Sequence, residues 1–224
     1  MKAIVLFGSP GSGKGTQAKA LRTCLGVPHI STGDMLRESI RQGTEVGQAI
    51  SATMHAGSLV PDEVVNDLVV WRLSQEDAVK GFILDGYPRT RAQAEFLSKW
   101  LETRGICQLV IHLAVDYNII IARLTGRRQC PRCGTLYNVV SKPPKEAGVC
   151  DLDGETLVIR DDDRESVIRE RLDAYERQTR PLLEFYGKAG KRIIEVDGSH
   201  DLPEVITRKI CQALDVNDRA KDAR

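Results

Sequence analysis

Ten residues near the start of the chain, GSPGSGKGTQ at 8–17, combine four glycines with one lysine and one threonine. They follow the apolar run AIVLF, and the spacing Gly8-x4-Gly13-Lys14 is that of a phosphate-binding loop. Without Cβ atoms, successive backbone N–H groups can converge on phosphate oxygens, and a helix starting near Lys14 adds its positive dipole end. The Lys14 ammonium can then reach the β- and γ-phosphates. The segment therefore predicts a phosphate site.

The residue after the lysine is unusual for such a loop. P-loop GTPases and motor ATPases have Ser or Thr there, and its hydroxyl holds Mg²⁺. Here Gly15 takes that place, and the hydroxyl comes one residue later, on Thr16. We therefore expect phosphates and waters to hold most of the magnesium. Asp85 ends an apolar run just before Gly86, where a carboxylate that orients magnesium-bound water would lie; the alternative is a turn cap.

Three of the six cysteines form a second cluster, Cys130-x2-Cys133-x16-Cys150, and Asp153 follows after two more residues. Three thiolates and one carboxylate in two knuckle-like turns are typical of a closed, structural zinc site. The neighbouring Asp151 competes with Asp153 as fourth ligand. Free thiols, or a redox pair of the first two cysteines, are the alternatives without metal.

Strands and helices that would position these residues alternate along the chain. Apolar runs predict buried strands at 2–7, 27–31, 81–85, 108–115 and 192–196. Helical patterns occupy 13–26, 61–75, 90–105 and 163–186. Such alternation predicts parallel βαβ units in a doubly wound sheet, and the fold class is therefore α/β.

Two segments interrupt this alternation. Residues 31–60 read as short helices without a strand, and residues 127–163 hold the cysteine cluster and two brief β-like runs. We interpret both as insertions into one core made of residues 1–30, 61–126 and 164–218. The polar end, residues 219–224, is predicted to be a disordered tail.

Composition sets limits on partners and location. The 224 residues are 42% hydrophobic and 28% charged, and 32 basic against 31 acidic residues leave a net charge of +1. No overall field therefore attracts nucleic acid or an anionic membrane. No apolar stretch approaches a membrane span, and the first residues do not read as a signal peptide, so we expect a cytoplasmic protein. Cys24, Cys107 and Cys211 are predicted to be buried apolar fillers.

Five further motifs follow the glycine loop in order: HISTGDMLR (29–37), GSLVPDE (57–63), LDGYPRTRAQAE (84–95), RLTGRR (123–128) and RDDDRESVIRERL (160–172). Together with GxPGxGKGT they resemble the nucleoside monophosphate kinases, most closely the adenylate kinases of the long-lid, zinc-containing bacterial type. The resemblance extends from residue 3 to about residue 200.

The resemblance implies a P-loop, three-layer α/β/α fold with a five-stranded parallel sheet. Residues 31–60 would be the small helical insertion that binds the nucleoside monophosphate (NMP), and residues 127–163 the zinc-bearing lid. The implied activity is reversible, Mg²⁺-dependent transfer of a phosphoryl group from ATP to AMP, giving two ADP. The implied cofactors are Mg²⁺ with ATP and structural Zn²⁺, and the chain would be a monomer that binds ATP, AMP and ADP but no nucleic acid and no membrane.

Roles for single residues are carried over from the same motifs. The implied AMP-binding residues are Thr32, Arg37, Ser58, Leu59, Val60, Gly86, Tyr87, Pro88, Arg89, Gln93, Arg160 and Arg171. The implied ATP-binding residues are Gly11, Ser12, Gly13, Lys14, Gly15, Thr16, Arg123, Arg127, Leu136, Tyr137 and His200. The implied catalytic set is Lys14, Asp85, Arg89, Arg123, Arg127, Arg160 and Arg171, and the implied metal ligands are Cys130, Cys133, Cys150 and Asp153.

Some of these expectations follow from the side chains as well. Arginine forks suit bidentate contacts to phosphate. Arg123 and Arg127 are four residues apart, which predicts one shared helix face. The amide of Gln93 can donate to adenine N1 and accept from N6, but because an amide can flip, Gln93 alone does not fix the base.

Two other functions are weighed against this one. A kinase for UMP, CMP or GMP would share most of the motifs, although Thr32 and Gln93 favour AMP. A nucleotide-gated nucleic-acid-binding protein with a zinc ribbon belongs to another class. The near-neutral charge opposes it, and the arginines occur in substrate motifs without a stripe of stacking aromatics.

Overall fold

The computed structural model describes the backbone of residues 1–222 and the side chains of residues 1–214. The predicted alternation of strands and helices is present. In chain order the elements are β1 (Lys2–Phe7), α1 (Lys14–Leu25), β2 (His29–Ser31), α2 (Thr32–Arg41), α3 (Glu45–His55), α4 (Asp62–Leu73), β3 (Gly81–Asp85), α5 (Arg91–Glu102), β4 (Cys107–Ala114), α6 (Tyr117–Thr125), β5 (Arg127–Gln129), β6 (Leu136–Asn138), α7 (Glu165–Ala174), α8 (Leu182–Lys188), β7 (Ile193–Asp197) and α9 (Pro203–Asp222).

Five of the strands form one parallel sheet in the order β2-β3-β1-β4-β7, which confirms the predicted fold class. Leu6 of β1 is in register with Asp85 of β3 on one side and Ile111 of β4 on the other. Because parallel strands end at the same edge, the glycine loop after β1 and the Asp85 carboxylate lie side by side.

Alternating side chains of the strands build a core on each face of the sheet. Ala3, Val5 and Phe7 pack into the cluster that includes residues of α4, α5 and α8. Ile4 and Leu6 point the other way, into the cluster with residues of α1 and α9. Each of these five β1 side chains is at most 4% exposed, so the strand that feeds the glycine loop is fixed from both sides.

Helices α2 and α3 fill the first predicted insertion. Ser31 Oγ accepts from the Asp34 N–H (3.3 Å) and Thr44 Oγ1 accepts from the Gly47 N–H (3.0 Å), so each helix has a side-chain N-cap. A Cβ on Gly47 would lie 2.1 Å from the Ser39 carbonyl oxygen. The two helices therefore touch backbone to backbone.

The pattern at 163–186 is not one helix, contrary to prediction. Helix α7 ends at Ala174, a π-helical turn spans Tyr175–Thr179, and α8 begins after Pro181, which lacks the N–H that a continuous helix needs. Helix α9 is described as far as Asp222, and residues 223 and 224 of the predicted tail lie outside the described part.

The scattered cysteines are not buried fillers, contrary to prediction. Cys24 and Cys107 are exposed and Cys211 is half-buried. Cys24 lies in the last turn of α1 and Cys107 is the first residue of β4, so both are at element ends where the core no longer covers them. Cys211 of α9 lies beside Cys24, with 3.5 Å between the two sulfur atoms.

We predict that Gly47→Ala lowers the free energy of unfolding by about 1–3 kcal/mol, because the added methyl group forces α2 and α3 apart. Gly187→Ala is the matched control: Gly187 is also helical, but a Cβ there meets nothing within 4 Å. That substitution should leave stability unchanged or slightly raise it. Thermal unfolding followed by circular dichroism measures both; equal melting temperatures for the two variants would contradict the close helix contact.

Candidate active site

The glycine loop joins the end of β1 to the first turn of α1. Gly13 is the N-cap of that helix and has φ +95°, a left-handed conformation that a Cβ would oppose. Lys14 begins the helix, and its Nζ donates to the carbonyl oxygens of Gly8 (2.6 Å) and Ser9 (2.8 Å). The loop thus has the form of an anion cradle, with the ammonium folded over it.

Lys14 is a poorly solvated cation. Burial lowers the pKa of its ammonium to about 8; the Asp85 carboxylate opposes this shift, and the charge of Arg89 adds to it. The ammonium is bonded to carbonyl oxygens and not to a carboxylate. An arriving phosphate would therefore supply the negative charge that favours its protonated form.

Asp85 ends β3 at the same edge, and its Oδ2 lies 3.3 Å from Nε2 of His29. A Cβ on Gly15 would lie 3.4 Å from the same Oδ2. A side chain after the lysine would therefore be in van der Waals contact with the carboxylate, and glycine leaves the space in front of Asp85 open.

Arginines and aspartates form a connected network beside the loop. Arg171 donates to Asp163 Oδ1 (2.7 Å) and to the Asp162 carbonyl oxygen (2.6 Å). Arg127 contacts both oxygens of Asp163, whose side chain is fully buried. The predicted arginines are thus already bound to carboxylates of the segment that precedes α7.

The network extends to helix α2. Arg37 pairs with Asp34 of its own helix (2.6 Å) and with Asp162 (3.4 Å). Arg160 lies 3.9 Å from Asp34. Burial raises the pKa of the Asp162 carboxyl, but Arg171 and Arg37 outweigh it and the pKa is lowered overall. The Asp162 carboxylate therefore stays ionised and compensates the arginines around it.

Burial also acts on the arginines themselves. It lowers the pKa of Arg89 and of Arg160 to about 10, and neighbouring guanidinium groups add to the effect. Both remain cationic at neutral pH. Arg89 is held by its Nε, which donates to the Gly86 carbonyl oxygen (2.9 Å). Its remaining guanidinium N–H groups can turn to an anion.

Arg123 and Arg127 do not share a helix face, contrary to prediction. Helix α6 ends at Thr125, Gly126 is its C-cap, and Arg127 begins β5. A Cβ on Gly126 would lie 2.8 Å from the Asn138 side chain, so this chain reversal is tightly packed. Arg123 donates instead to the carbonyl oxygens of Gly198 (2.8 Å) and Ser199 (3.2 Å).

A second part of the same cleft is built around Gly86, which has φ +80°. Thr32 Oγ1 donates to the Gly86 carbonyl oxygen (2.8 Å). A Cβ at position 86 would lie 3.1 Å from both Thr32 Oγ1 and Arg89 Nη2. Glycine is therefore required for the close approach of these side chains, as the sequence suggests.

Gln93 is 2% exposed, and both ends of its amide are bonded. Nε2 donates to Asp62 Oδ1 (2.7 Å), and Oε1 accepts from the Arg89 N–H (2.7 Å). Tyr87, in contrast, does not line the cleft: its ring is buried, and its hydroxyl donates to Asn66 Oδ1 (2.5 Å).

All the other predicted nucleotide-binding and catalytic residues line one cleft of about 1580 Å³. Ser58, Leu59, Val60 and Pro88 lie on it, as do Leu136, Tyr137 and His200. Ligand pockets for one small molecule occupy about 300–1,000 Å³. The cleft is thus larger than a single small ligand needs.

The four predicted metal ligands come together. One atom each of Cys130, Cys133, Cys150 and Asp153 lie within 4.8 Å of one another. The Cys133 and Cys150 sulfur atoms are 3.6 Å apart, and Cys130 Sγ lies 3.3 Å from Asp153 Oδ2. Tetrahedral Zn–S bonds of 2.3 Å imply S···S edges of about 3.8 Å, so the donor set fits zinc.

Two turns with the same hydrogen bonds present these ligands. The Cys130 N–H donates to Thr135 O (2.9 Å) and the Gly134 N–H to Cys130 O (3.0 Å). In the second turn Cys150 donates to Glu155 O (2.9 Å) and Gly154 to Cys150 O (3.0 Å). Asp153 thus occupies the place of Cys133, while Asp151 Oδ1 accepts from the Lys145 N–H (2.8 Å).

Three residues that hold the site side chains in place are not predicted from the sequence: Thr179 and Asp34 line the cleft, and Asp62 does not. Thr179, in the π-helical turn, donates to the Arg89 carbonyl oxygen (2.9 Å). Asp62 binds Gln93, and Asp34 binds Arg37. No motif includes Thr179, whereas Asp34 and Asp62 lie within the motifs at 29–37 and 57–63. The partner of Asp34 is three residues along the same helix, but the partner of Asp62 is 31 positions away in the sequence.

Comparison with known proteins agrees with this geometry. The family model described as Adenylate kinase matches residues 6–191. An adenylate kinase of Moorella thermoacetica is 48% identical over 204 residues, 91% of this chain and 94% of the relative. One of Caldanaerobacter subterraneus is 46% identical over 220 residues, 98% of each chain, and one of Thermotoga neapolitana is 46% identical over 92% of this chain and 94% of the relative. The chain belongs to the adenylate kinase family.

Proposed function

We propose that the chain transfers a phosphoryl group reversibly from Mg²⁺-bound ATP to AMP, giving two ADP, and that one cleft holds both nucleotides. The observation that carries this is the shared lining: the glycine loop, the arginine network and the pocket of Thr32 and Gln93 all face the same cleft. A loop for one nucleotide's phosphates and a separate base pocket suit two substrates bound tail to tail.

Little covalent chemistry is required of the side chains. The attacking oxygen of a monophosphate is already anionic, so catalysis consists of in-line positioning and neutralisation of charge on the moving group. We assign Lys14 and Arg123 to the phosphates of ATP, and Arg37 and Arg89 to the phosphate of AMP. Arg127, Arg160 and Arg171 would bind the transferring group.

Phosphate oxygens would take the place of the carboxylates that now bind these arginines. Asp34, Asp162 and Asp163 present anionic oxygens to the guanidinium groups much as a phosphate does. Nucleotide binding then exchanges one set of ion pairs for another, so that most of the cost of desolvating the arginines is met on folding.

We assign Asp85 to orienting the water shell of magnesium. The ion prefers oxygen ligands and retains several waters, and the open space beside Gly15 suits a hydrated ion. Thr16 also lines the cleft. Because Thr16 lies one residue after the position where other phosphate loops have their hydroxyl, we assign its hydroxyl no direct bond to the metal.

The units are proposed as predicted: a core of residues 1–30, 61–126 and 164–218, an NMP-binding insertion at 31–60 and a lid at 127–163. Arg37 lies 3.4 Å from Asp162, so an ion pair links the insertion to the lid, and His55 of the insertion lies 3.5 Å from Asp161 of the lid. Closure of both over bound nucleotides would exclude water, which would otherwise hydrolyse ATP.

The cysteine cluster is proposed as a structural zinc site, with Cys130, Cys133, Cys150 and Asp153 as ligands. Four protein ligands leave no position for a catalytic water. The buried apolar cluster of the lid consists only of Cys130, Tyr137, Cys150 and Leu157 among the residues with described side chains. Because so small a core stabilises little, a metal staple is physically reasonable.

The cellular location is proposed from the sequence, which has no apolar stretch long enough to cross a membrane, and the monomeric state is proposed from the family resemblance. Among residues 1–222, none of the helices has the length and apolar character needed to cross a bilayer. We propose a cytoplasmic monomer.

The reaction is tested by steady-state assays of ATP with AMP, GMP, CMP and UMP in turn. We expect kcat/KM for AMP to exceed the others by at least about tenfold, since Thr32 and Gln93 face the base. Diadenosine pentaphosphate, which joins two adenosines, should bind one per chain and inhibit competitively. Preferred turnover of UMP, or saturation with a single nucleotide, would contradict the proposal.

The lowered pKa of Lys14 predicts proton uptake on nucleotide binding. At pH 8.5 a group of pKa about 8 is mostly neutral in the free enzyme, and ATP would restore its proton, so uptake approaches about three quarters of a proton. Near pH 7 uptake through this group should almost vanish. The proton uptake is measured by calorimetric titrations of ATP in buffers of different ionisation enthalpy. The observed binding enthalpy should differ between the buffers at pH 8.5, and Lys14→Met should abolish that difference. Equal uptake by the variant would refute the assignment.

The fourth zinc ligand is tested by a matched pair of variants. Emission spectroscopy after dialysis should find close to one zinc per chain in the wild type and in Asp151→Asn. Asp153→Asn should lose zinc and melt at a lower temperature, because the amide no longer provides a charged ligand. Metal-free wild-type protein with full stability would exclude a structural role, and the opposite ranking of the variants would reassign the ligand.

A further inference from the structure

The amide of Gln93 is held in one orientation by its neighbours. The Nε2 end faces Asp62 Oδ1 (2.7 Å), and the Oε1 end faces the backbone N–H of Arg89 (2.7 Å). An ionised carboxylate offers only acceptors, and a backbone N–H is only a donor. Turning the amide over would set oxygen against oxygen and N–H against N–H. Both hydrogen bonds would be lost inside a site where Gln93 is 2% exposed.

Asp62 is itself fixed. Its other oxygen, Oδ2, accepts from Thr90 Oγ1 (2.8 Å), and Thr90 Oγ1 accepts in turn from the Gln93 backbone N–H (3.2 Å). The carboxylate lies in the first residue of α4, where the helix dipole stabilises a negative charge. Asp62, Thr90 and Gln93 therefore form a closed ring of hydrogen bonds.

The orientation has a consequence for the base. A 6-aminopurine offers an amine donor at N6 and an acceptor at N1, whereas a 6-oxopurine offers an acceptor at O6 and a donor at N1. With the amide fixed, Oε1 keeps a lone pair for N6–H, and Nε2 keeps a second hydrogen for N1. A 6-oxopurine matches only the flipped amide, which Asp62 opposes.

We propose that Asp62 is a specificity-determining positioning residue: it locks the Gln93 amide and so makes the pocket select 6-aminopurine over 6-oxopurine monophosphates. Asp62 does not line the cleft, so it acts through Gln93 and not on the nucleotide directly. The inference rests on the proposed role of Gln93 as reader of the AMP base. Asp62 would thus remove the ambiguity of the Gln93 amide, which could otherwise bind either kind of purine.

The test compares AMP with inosine monophosphate, which differs from AMP only at the N1 and C6 edge. In Asp62→Asn the new amide can present oxygen or N–H, so both orientations of Gln93 become available. We expect the AMP-to-inosine-monophosphate ratio of kcat/KM to fall at least about tenfold, chiefly through a lower KM for inosine monophosphate. Asp67→Asn, the same substitution at an exposed position of α4, should leave the ratio at the wild-type value.

Two further variants separate the possible failures. Asp62→Ala removes the carboxylate that holds the Gln93 amide and offers no new hydrogen-bonding partner. The AMP-to-inosine-monophosphate ratio of kcat/KM should fall in this variant as well. It replaces Asp62→Asn in the test if thermal unfolding shows that the asparagine variant does not fold. Gln93→Leu removes the reader. An unchanged ratio in folded Asp62 variants, together with a changed ratio in Gln93→Leu, would overturn the lock. An unchanged ratio in Gln93→Leu as well would overturn the proposed role of Gln93 itself.

Discussion

Repulsion among cations is the constraint on which the cleft depends. Lys14 and the six arginines with proposed roles line one cleft, and burial lowers the pKa of several of these groups. Such a concentration of positive charge is tolerable only with anions close by. Asp34, Asp162 and Asp163 supply them from segments far apart in the chain, so the ion pairs that balance the cleft also hold α2 and the segment before α7 against it.

The sheet provides the rigid counterpart to this network. Strand β1 is buried on both faces, and the loop that follows it and the end of β3 share one edge. Groups that need a fixed geometry, the glycine loop and Asp85, thus lie on the best-packed part of the molecule. The arginines are carried by helices, by the short strand β5 and by connecting segments around the sheet, where phosphate contacts can be made and released.

Much of the fold and of the candidate site can be predicted from the sequence, because the signals for them are local. Strand periodicity, the glycine spacing and the cysteine spacing each depend on a few neighbouring residues, and the structure follows them. The errors arise where a distant contact decides. The end of α6, for example, lies where the Asn138 side chain packs against Gly126. The partnership of Asp62 and Gln93 spans 31 positions and has no local signal.

The twin turns of the cysteine cluster have an implication for how such a site can change. Each turn closes through its own backbone hydrogen bonds, made by Cys130 with Thr135 and by Cys150 with Glu155. A ligand side chain adds one bond to each turn: Cys130 Sγ accepts from the Cys133 N–H (3.4 Å), and Asp153 Oδ1 accepts from the Glu155 N–H (3.1 Å). Exchange of the Asp153 carboxylate for a thiolate or an imidazole would alter the preference for a bound metal, and it would replace this one bond while the backbone bonds that close the turn are kept.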